Sequence, residues 1–310
     1  MKVEGHEIEV SNRDKVLFPG AGLTKGDVVD YYRRVAEVMV PHMKHYGLSM
    51  HRFPDGLQGE GWYQKDIPDY FPDWIKTVTI PKREGGSFDA PVVDSAAALV
   101  YLASQAVLTP HLYLSRTDDL EHPDKMIYDL DPPEGTRDYA AVRRAALDVR
   151  DVLEELDIES WVQTTGSKGF HVVVPLDRRQ GFGPVRQFAH DVALLLVRRH
   201  QERYTLEQRK KKRGGRILLD MLRNAYGATS VAPYAVRARP GAPVATPVDW
   251  HEVEAGASPR DWTIRNVPDR LAQKDDPWAG LMRHALSLAG RRERLDELLA
   301  REKLADEGLD

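Results

Sequence analysis

Two aspartates at the end of an apolar run are the residues whose spacing most directly suggests chemistry. Asp129 and Asp131 follow the apolar residues 126–128, and Pro132 and Pro133 end the run. In an extended strand, residues i and i+2 point to the same face, so the two carboxylates would lie side by side. Neighbouring carboxylates repel each other, and a divalent cation such as Mg²⁺ or Mn²⁺ between them removes the repulsion. The alternative is an acidic strand end that runs into a turn.

Asp220 is a third candidate, because it lies between Leu219 and Met221 in the otherwise apolar segment 217–222. A carboxylate in a hydrophobic strand is costly unless it is paired or holds a metal. With the first two aspartates it completes the ligand inventory of a two-metal site for phosphoryl or nucleotidyl transfer. One metal would lower the pKa of an attacking 3′-hydroxyl, and the other would bind the triphosphate and the leaving group.

Groups suited to phosphate are concentrated in the segment Gly166–His171. It combines backbone N–H groups, a hydroxyl, an ammonium and an imidazole, and its glycines let the backbone close on a ligand. It is not a Walker A loop, because the spacing differs and a strand is expected to follow where a helix should begin. A plain hairpin turn is the alternative. Arg237 and Arg239 are suited to clamp a triphosphate through bidentate contacts.

Two further segments carry groups suited to DNA. Trp62 and Tyr63, followed by Lys65, have the composition of a base-stacking platform with a phosphate contact, although adjacent aromatic residues also occur in cores. Lys25 falls in the first turn of a helix predicted to start at the N-cap Thr24. A cation there opposes the helix dipole, which suits a lysine that meets an anion; a solvated lysine is the alternative.

Composition excludes several classes of protein. The chain has 310 residues, of which 42% are hydrophobic and 30% charged, as in ordinary globular proteins. No apolar run reaches the roughly 18 residues of a membrane span, and the N-terminus has no apolar signal core, so we expect a cytoplasmic protein. The absence of cysteine excludes disulfides, thiolate zinc sites and cysteine nucleophiles. The net charge of −4 argues against a uniformly basic surface but allows a local basic groove.

Periodicity predicts strands that alternate with helices, and hence an α/β protein with a mixed sheet. We predict neither a helix nor a strand in the polar loop at 82–89 or in the basic run at 209–216. The predicted helices are 24–43, 94–108, 138–156 and 184–200, and the predicted strands are 7–10, 48–53, 75–80, 112–114, 125–130, 160–165, 170–176 and 217–222.

The order and spacing of these segments resemble the polymerase domain of the prokaryotic non-homologous end-joining ligase, ligase D, over essentially the whole chain. That domain belongs to the archaeo-eukaryotic primase superfamily. Each matching segment is weakly specific alone, whereas their order and spacing together are highly specific. The segments are Ser11-Asn12, Lys15–Pro19, Thr24–Asp27, Asp129–Pro132, Thr165–His171, Gly215–Asp220, Arg223–Gly227, Val231–Tyr234 and Arg237–Gly241.

The resemblance implies a catalytic triad, Asp129, Asp131 and Asp220, that holds two divalent metal ions, Mn²⁺ or Mg²⁺. It also implies a site for the incoming nucleoside triphosphate. The residues expected at or near the nucleotide are Ser167, Lys168, Gly169, His171, Arg237 and His111.

By the same resemblance, Asn12, Lys15 and Lys25 form a pocket for the 5′-phosphate of the downstream strand. The helix that begins near Thr24 is expected to add its unpaired N–H groups and the positive end of its dipole. The loops 82–89 and 209–215 resemble surface loops that position the primer and align two DNA ends. The expected template and primer contacts are Trp62 and Tyr63, where the family usually has two phenylalanines, with Lys65 and Arg213.

The expected fold is the α/β primase-polymerase fold, with an RRM-like catalytic sheet and a fused N-terminal α/β module. We expect one compact catalytic domain over about residues 1–300. Its predicted parts are an N-terminal module at about 1–110, a catalytic core at about 111–250 and a helical segment at about 251–300, followed by a flexible tail at 301–310.

The implied function is template-dependent nucleotidyl transfer in the repair of DNA double-strand breaks by end joining. The enzyme would fill gaps and extend ends, prefer ribonucleotides and recognise a downstream 5′-phosphate. Expected partners are DNA with gaps, overhangs or breaks, nucleoside triphosphates, Ku and a DNA ligase, at the nucleoid and not at a membrane. One alternative is a stand-alone primase that starts chains de novo. The other is a non-catalytic module that binds DNA ends, against which the three aspartates argue.

Overall fold

The computed structural model describes residues 1–133 and 138–306, without the side chains of residues 305 and 306. The chain forms two compact units. The first unit contains Met1–Leu120, Thr229–Thr246 and Arg260–Asp276. The second unit contains Glu121–Ala228, Pro247–Pro259 and the residues from Pro277 onward.

The described residues form eighteen strands and seven α-helices. The strands are β1 (Lys2–Val3), β2 (His6–Glu7), β3 (Val16–Phe18), β4 (Leu23–Thr24), β5 (Leu48–Arg52), β6 (Trp62–Gln64), β7 (Thr77–Pro81), β8 (Ser87–Pro91), β9 (Val107–Tyr113), β10 (Ser115–Arg116), β11 (Asp119–Pro123), β12 (Lys125–Asp131), β13 (Trp161–Thr164), β14 (Phe170–Pro175), β15 (Tyr204–Thr205), β16 (Ile217–Asp220), β17 (Thr229–Val231) and β18 (Pro247–Val248). The helices are α1 (Lys25–Met39), α2 (Ala96–Ser104), α3 (Tyr139–Glu155), α4 (Phe182–Arg199), α5 (Trp250–Glu254), α6 (Val267–Gln273) and α7 (Ala289–Asp306).

The first unit is built on an antiparallel sheet with the strand order β17-β9-β5-β6. Helix α1 packs beside α2, and its start is fixed by a capping box between Thr24 and Asp27, in which each side chain accepts a hydrogen bond from the other residue's backbone N–H. The hydroxyl of Tyr32 donates to the Leu108 carbonyl at 2.5 Å and so ties α1 to β9. The buried residues of α1 recur at helical spacing and include Val28, Tyr31, Tyr32, Val35 and Met39.

The second unit is built on a six-stranded sheet with the order β15-β16-β12-β14-β13-β18, in which only β15 and β16 run parallel. Strand β12 has a hydrogen-bonded neighbour on each side, and Met126, Tyr128 and Leu130 in it are completely buried. Helices α3 and α4 pack against each other and against this sheet. The burial of β12 fixes its register and thereby the position of the aspartates at its end.

The predicted helix 94–108 and strand 112–114 are wrong in their boundaries. Helix α2 ends at Ser104, the chain turns at Ala106 with a φ of 58°, and β9 follows from Val107. The apolar run hides this boundary, because periodicity alone does not separate a buried helix from a buried strand. Pro110 adds to the difficulty, since proline inside a run normally argues against a central strand.

The units divide the chain differently from the modules expected from the sequence. The first unit extends to Leu120. It also includes the later segment Thr229–Thr246, because β17 in that segment pairs with β9. Residues 301–306 of the predicted tail belong to α7, and residues 307–310 lie outside the described residues. The single catalytic domain stays a prediction. Within the described ranges, no helix has both the length and the apolarity needed to cross a membrane.

Candidate active site

The three predicted metal ligands lie on two adjacent strands of the second unit. In the antiparallel pairing of β12 with β16, Asp129 stands directly opposite Asp220, and Asp131 stands opposite Leu218. Asp131 shares the face of Asp129, because side chains two residues apart in a strand point the same way. Directly opposed residues have Cβ atoms about 4.5–5.5 Å apart. The sheet register therefore brings three carboxylates together at one end of β12.

Asp129 is held by one group on each of its oxygens. His171 Nε2 lies 3.4 Å from Oδ1, and Arg223 Nε donates to Oδ2 at 3.2 Å. Burial alone would raise the pKa of this carboxyl, but the contacts with His171 and Arg223 outweigh it and hold the pKa of Asp129 well below its usual range. Asp129 is therefore an anion.

The pKa of Asp220 is shifted in the opposite direction, upward. It is half-buried, and its Oδ1 accepts a hydrogen bond from the Leu222 N–H at 2.8 Å. Burial raises the pKa of Asp220 and the negative charge of Asp129 adds to the rise, against the lowering effect of the Leu222 hydrogen bond. A cation near both carboxylates would relieve this cost.

Gln163 orients His171. The register places His171 opposite Gln163 on β13 and opposite Asp129 on β12. Gln163 Nε2 lies 3.2 Å from His171 Nδ1, and an amide nitrogen only donates, so Nδ1 accepts. The other ring nitrogen, Nε2, faces Asp129. His171 thus orients a candidate metal ligand, and its predicted contact with the nucleotide stays a prediction.

The donor chemistry of this site fits hard divalent cations, because carboxylate oxygens are the ligands that Mg²⁺ and Mn²⁺ prefer. The side chains do not converge on one point, however: in the part of the chain that the structure describes, no group of three or more His, Cys, Asp or Glu residues is arranged to hold a metal ion. His171 and Arg223 each contact one oxygen of Asp129. A metal ion at this site would compete with Arg223 for Asp129.

The turn between β13 and β14 lies against β12. Thr165 Oγ1 accepts hydrogen bonds from the N–H groups of Ser167 at 3.3 Å and Gly169 at 3.1 Å, so two N–H groups expected to meet phosphate are used inside the turn. A Cβ at Gly169 would lie 1.7 Å from the Leu130 carbonyl oxygen, so that only glycine fits. The Ser167 hydroxyl and the half-buried Lys168 ammonium are the predicted phosphate donors of this turn.

Asn224 binds the segment that follows β16 to β12. The motif Arg223–Gly227 includes this residue, for which the sequence indicated no role. Its side chain is completely buried. Its Oδ1 accepts from the Ile127 N–H at 2.8 Å, and its Nδ2 donates to the Ile127 carbonyl at 2.7 Å and to the Met221 carbonyl at 2.9 Å. The amide therefore continues the strand pairing where β16 has ended.

In the first unit, the structure brings the two predicted phosphate-binding lysines together. Lys25 is buried, and its Nζ donates to the Ser11 carbonyl at 2.8 Å. Burial, followed by the charge of Lys15, lowers the pKa of the Lys25 ammonium. Lys15 Nζ lies 2.6 Å from Oδ1 of the exposed Asp55, a partner that the sequence did not indicate. The pocket therefore contains two cations and one competing carboxylate.

The expectation that unpaired N–H groups of α1 bind the phosphate is wrong for its first turn. The first three N–H groups of the helix have acceptors in the chain itself: the Lys15 carbonyl at 2.8 Å, the Arg13 carbonyl at 2.8 Å and the Thr24 hydroxyl at 3.2 Å. The loop reaches these groups because Asn12 adopts a left-handed conformation, with a φ of 50°. Phosphate binding there would rest on side chains.

The two predicted template-stacking residues point to opposite faces of β6, because they are consecutive in a strand. Tyr63 stacks on His51 with ring centroids 4.1 Å apart and packs edge-on against His111 at 5.3 Å. Trp62 lies across from Arg52, whose guanidinium is 5.7 Å from the ring centroid. Both aromatic residues are exposed, since β6 is an edge strand.

Arg237 and Arg239 lie near the His51 ring, which packs against Tyr63 and His111. Burial, followed by the charges of the two arginines, lowers the pKa of His51 to about 4, so His51 is neutral at pH 7. The predicted nucleotide contacts His111 and Arg237 therefore share one environment around His51. Lys65 follows β6 and is exposed.

The basic loop of the second unit is braced by Arg213. Its guanidinium donates to the carbonyls of Glu207 at 3.0 Å and Gln208 at 2.9 Å. Lys210–Lys212 form an exposed helical turn just before it. Arg213 thus shapes the loop, and its predicted contact with DNA stays a prediction.

The chain is similar to known proteins over most of its length. Residues 24–278 match the family model of the LigD primase-polymerase domain. The chain belongs to this family.

The relatives of this LigD primase-polymerase domain agree with the assignment. The multifunctional non-homologous end joining protein LigD of Pseudomonas aeruginosa is 30% identical over 297 residues, which cover 95% of this chain and 34% of that protein. LigD of Mycolicibacterium smegmatis is 32% identical over 276 residues, 88% of this chain and 36% of that protein. The chain thus spans about a third of the length of these curated relatives.

A solved structure shows the same fold. The polymerase domain from Mycobacterium tuberculosis ligase D in complex with DNA superposes with a TM-score of 0.83 at 30% identity, over 90% of this chain and 99% of that chain. The α/β primase-polymerase fold and the nucleotidyltransferase class of this LigD domain follow from these matches.

Within this LigD domain, the second unit gathers the aspartates and the turn residues 166–171, whereas the first unit gathers the lysines, the aromatic residues, His111 and Arg237. Sequence reasoning missed the residues that support them, because their contacts depend on how strands and loops pack together. These supporting residues are His51, Asp55, Gln163, Arg223 and Asn224.

Proposed function

We propose that this domain carries out template-dependent nucleotidyl transfer at DNA double-strand breaks, where it fills gaps and extends ends during non-homologous end joining. The observation that carries the proposal is the pairing that sets Asp129 opposite Asp220, with Asp131 on the same face. The relatives support the proposal, since they are named as non-homologous end joining proteins. The similar solved domain is in complex with DNA.

The three aspartates are the proposed ligands of two divalent cations, Mn²⁺ or Mg²⁺. Bound there, these ions would lower the pKa of the attacking 3′-hydroxyl and compensate the charge of the triphosphate. His171 orients Asp129 from a position fixed by Gln163. The Ser167 hydroxyl and the Lys168 ammonium donate to phosphate oxygens of the incoming nucleotide.

Recognition of a downstream 5′-phosphate is proposed for Asn12, Lys15 and Lys25. The two ammonium groups are close enough for Lys15 to lower the pKa of Lys25, so together they form a doubly cationic spot. A terminal phosphate carries more negative charge than a phosphodiester and gains more from such a spot. Asp55 competes with the phosphate for Lys15.

Nucleotide choice and partners complete the proposal. Ribonucleotides are preferred, because a site that hydrogen-bonds the 2′-hydroxyl leaves a polar group unpaired when a deoxyribonucleotide binds. Ku and a DNA ligase are proposed as partners on the family resemblance alone. The proposed nucleotide contacts of the first unit are His111 and Arg237, and the proposed template and primer contacts are Trp62, Tyr63, Lys65 and Arg213.

Primer extension on a gapped duplex tests this function. With Mn²⁺ we expect templated addition, faster with ribonucleotides than with deoxyribonucleotides. The same protein on an unprimed template separates the alternatives, since dinucleotide synthesis there would indicate a primase. Binding of gapped DNA without any extension would indicate an end-binding module and contradict the proposal.

A further inference from the structure

The segment after β16 is held against β12 by one buried side chain. Asn224 uses its carbonyl and both N–H groups of its amide, two of them on the backbone of Ile127 and one on Met221. Ile127 lies two residues before Asp129 on the same strand. The position of this segment is therefore fixed relative to the carboxylate site by direct hydrogen bonds.

This attachment places the preceding residue, Arg223, beside Asp129. Arg223 Nε donates to Asp129 Oδ2 at 3.2 Å, and Asp129 in turn stands opposite Asp220. The Arg223 side chain is 44% exposed, whereas that of Asp129 is 12% exposed. The guanidinium can therefore withdraw towards solvent, while the carboxylate stays where the strand holds it.

A metal ion and Arg223 are alternatives at Asp129. An oxygen that accepts a hydrogen bond from a guanidinium does not offer the same lone pair to a metal, and the two positive charges repel each other. Removal of Arg223 leaves two opposed carboxylates without that cation, which favours any other cation that reaches them.

We propose that Arg223 is a built-in counter-cation of the carboxylate site, which competes with the divalent ion for Asp129 and so weakens metal binding by the protein without nucleotide. Asn224 is the positioning residue that keeps Arg223 there. The inference rests on the proposed metal site. When Arg223 is displaced, its guanidinium becomes available to a polyanion, so that metal and phosphate binding favour each other.

Calorimetric titration of Mn²⁺ into protein stripped of metal by a chelator tests this inference, without nucleotide or DNA. We expect Arg223→Gln to bind Mn²⁺ about fivefold more tightly than wild type or better, the low end of measured couplings between ligands. Arg223→Lys keeps the positive charge, so its affinity for Mn²⁺ should lie between those of wild type and Arg223→Gln. The matched control is Arg179→Gln, which removes an exposed arginine whose Nε contacts Asp177 at 3.3 Å in the same unit. It should bind Mn²⁺ as wild type does.

The possible results separate this inference from the proposed function. Equal or weaker Mn²⁺ binding by folded Arg223→Gln, with normal binding by wild type, overturns the role of Arg223 and leaves the metal site intact. The same increase in Arg179→Gln also overturns it, because net charge would then be the cause. If Arg223→Gln does not fold, Arg223→Lys decides, and unchanged affinity in it contradicts competition by the guanidinium. No binding by any of the proteins removes the metal site and the inference together.

Discussion

The carboxylate site of the second unit and the lysine pocket of the first unit are built by different structural means. Asp129 and Asp220 face each other because two hydrogen-bonded strands fix their register. Lys15 and Lys25 meet where a loop folds onto the start of a helix, and Lys15 pairs with the exposed Asp55. A register allows little adjustment, whereas an exposed ion pair exchanges readily with solvent or a ligand. We therefore expect that changes in the carboxylate site cause steep losses of catalytic activity. Changes in the lysine pocket should alter DNA affinity by graded amounts.

The largest expected effect comes from the aspartates. Asp129→Ala, Asp131→Ala and Asp220→Ala should each reduce primer extension by about a hundredfold or more, because each removes a proposed ligand of the cations on which nucleotidyl transfer depends. Binding of gapped DNA, measured by fluorescence anisotropy, should change little. Near-normal extension by any of the three variants would remove that residue from the site.

Gly169→Ala tests the close approach of the turn to β12. The added Cβ would meet the Leu130 carbonyl, so the turn or the strand must shift, which costs about 1–3 kcal/mol of unfolding free energy. Gly183→Ala is the control, since a Cβ at that helical position meets nothing within 4 Å. Urea denaturation should show a loss for the first variant and no loss for the second. Equal stabilities would contradict the described packing.

The lysine pocket should change affinity and not chemistry. Wild type should bind gapped DNA with a 5′-phosphate several-fold more tightly than the same DNA with a 5′-hydroxyl, up to the roughly 10- to 150-fold of a charge-assisted contact. Lys15→Ala combined with Lys25→Ala should abolish the difference, and increasing salt should reduce it in wild type. Anisotropy titrations at moderate salt measure both effects. Equal binding of the two DNAs by wild type would contradict the pocket.

The smallest expected effect is a gain. Asp55→Asn removes the carboxylate that competes for Lys15, so the preference for a 5′-phosphate should rise by a few-fold, in keeping with about 0.2–1 kcal/mol for an exposed ion pair. The same titrations measure it. A reduced preference would mean that Asp55 orients Lys15 for the phosphate and does not compete with it.

The sequence predicted the local elements that carry the candidate residues better than the contacts between those elements. The strand ending at Asp131, the apolar strand around Asp220 and the turn at 166–171 were visible as local patterns, because side-chain alternation and turn residues are local properties. The pairing of Asp129 with Asp220 joins segments far apart in the chain and depends on register. The family resemblance supplied the grouping that the patterns alone could not.

Two misses had different causes. One satisfied N–H group of α1, that of Asp27, was readable, since Thr24 followed by Asp27 three residues later is a capping signal. The contacts of Arg223 and Asn224 were not readable, because nothing in their local sequence says which strand lies beside them. Sequence patterns thus indicate caps and alternation, and contacts between distant strands require the structure.

Primer extension at saturating DNA, with a conservative variant of each site beside wild type, tests the central claim most directly. On gapped duplex with a 5′-phosphate, nucleotides and Mn²⁺, Asp220→Asn should bind the DNA and add no nucleotide. Lys15→Ala combined with Lys25→Ala should add nucleotides at the wild-type rate once the DNA is saturating. Extension by Asp220→Asn, or its loss in the saturated lysine variant, would contradict a carboxylate site that performs the chemistry and a separate lysine pocket that recognises the DNA end.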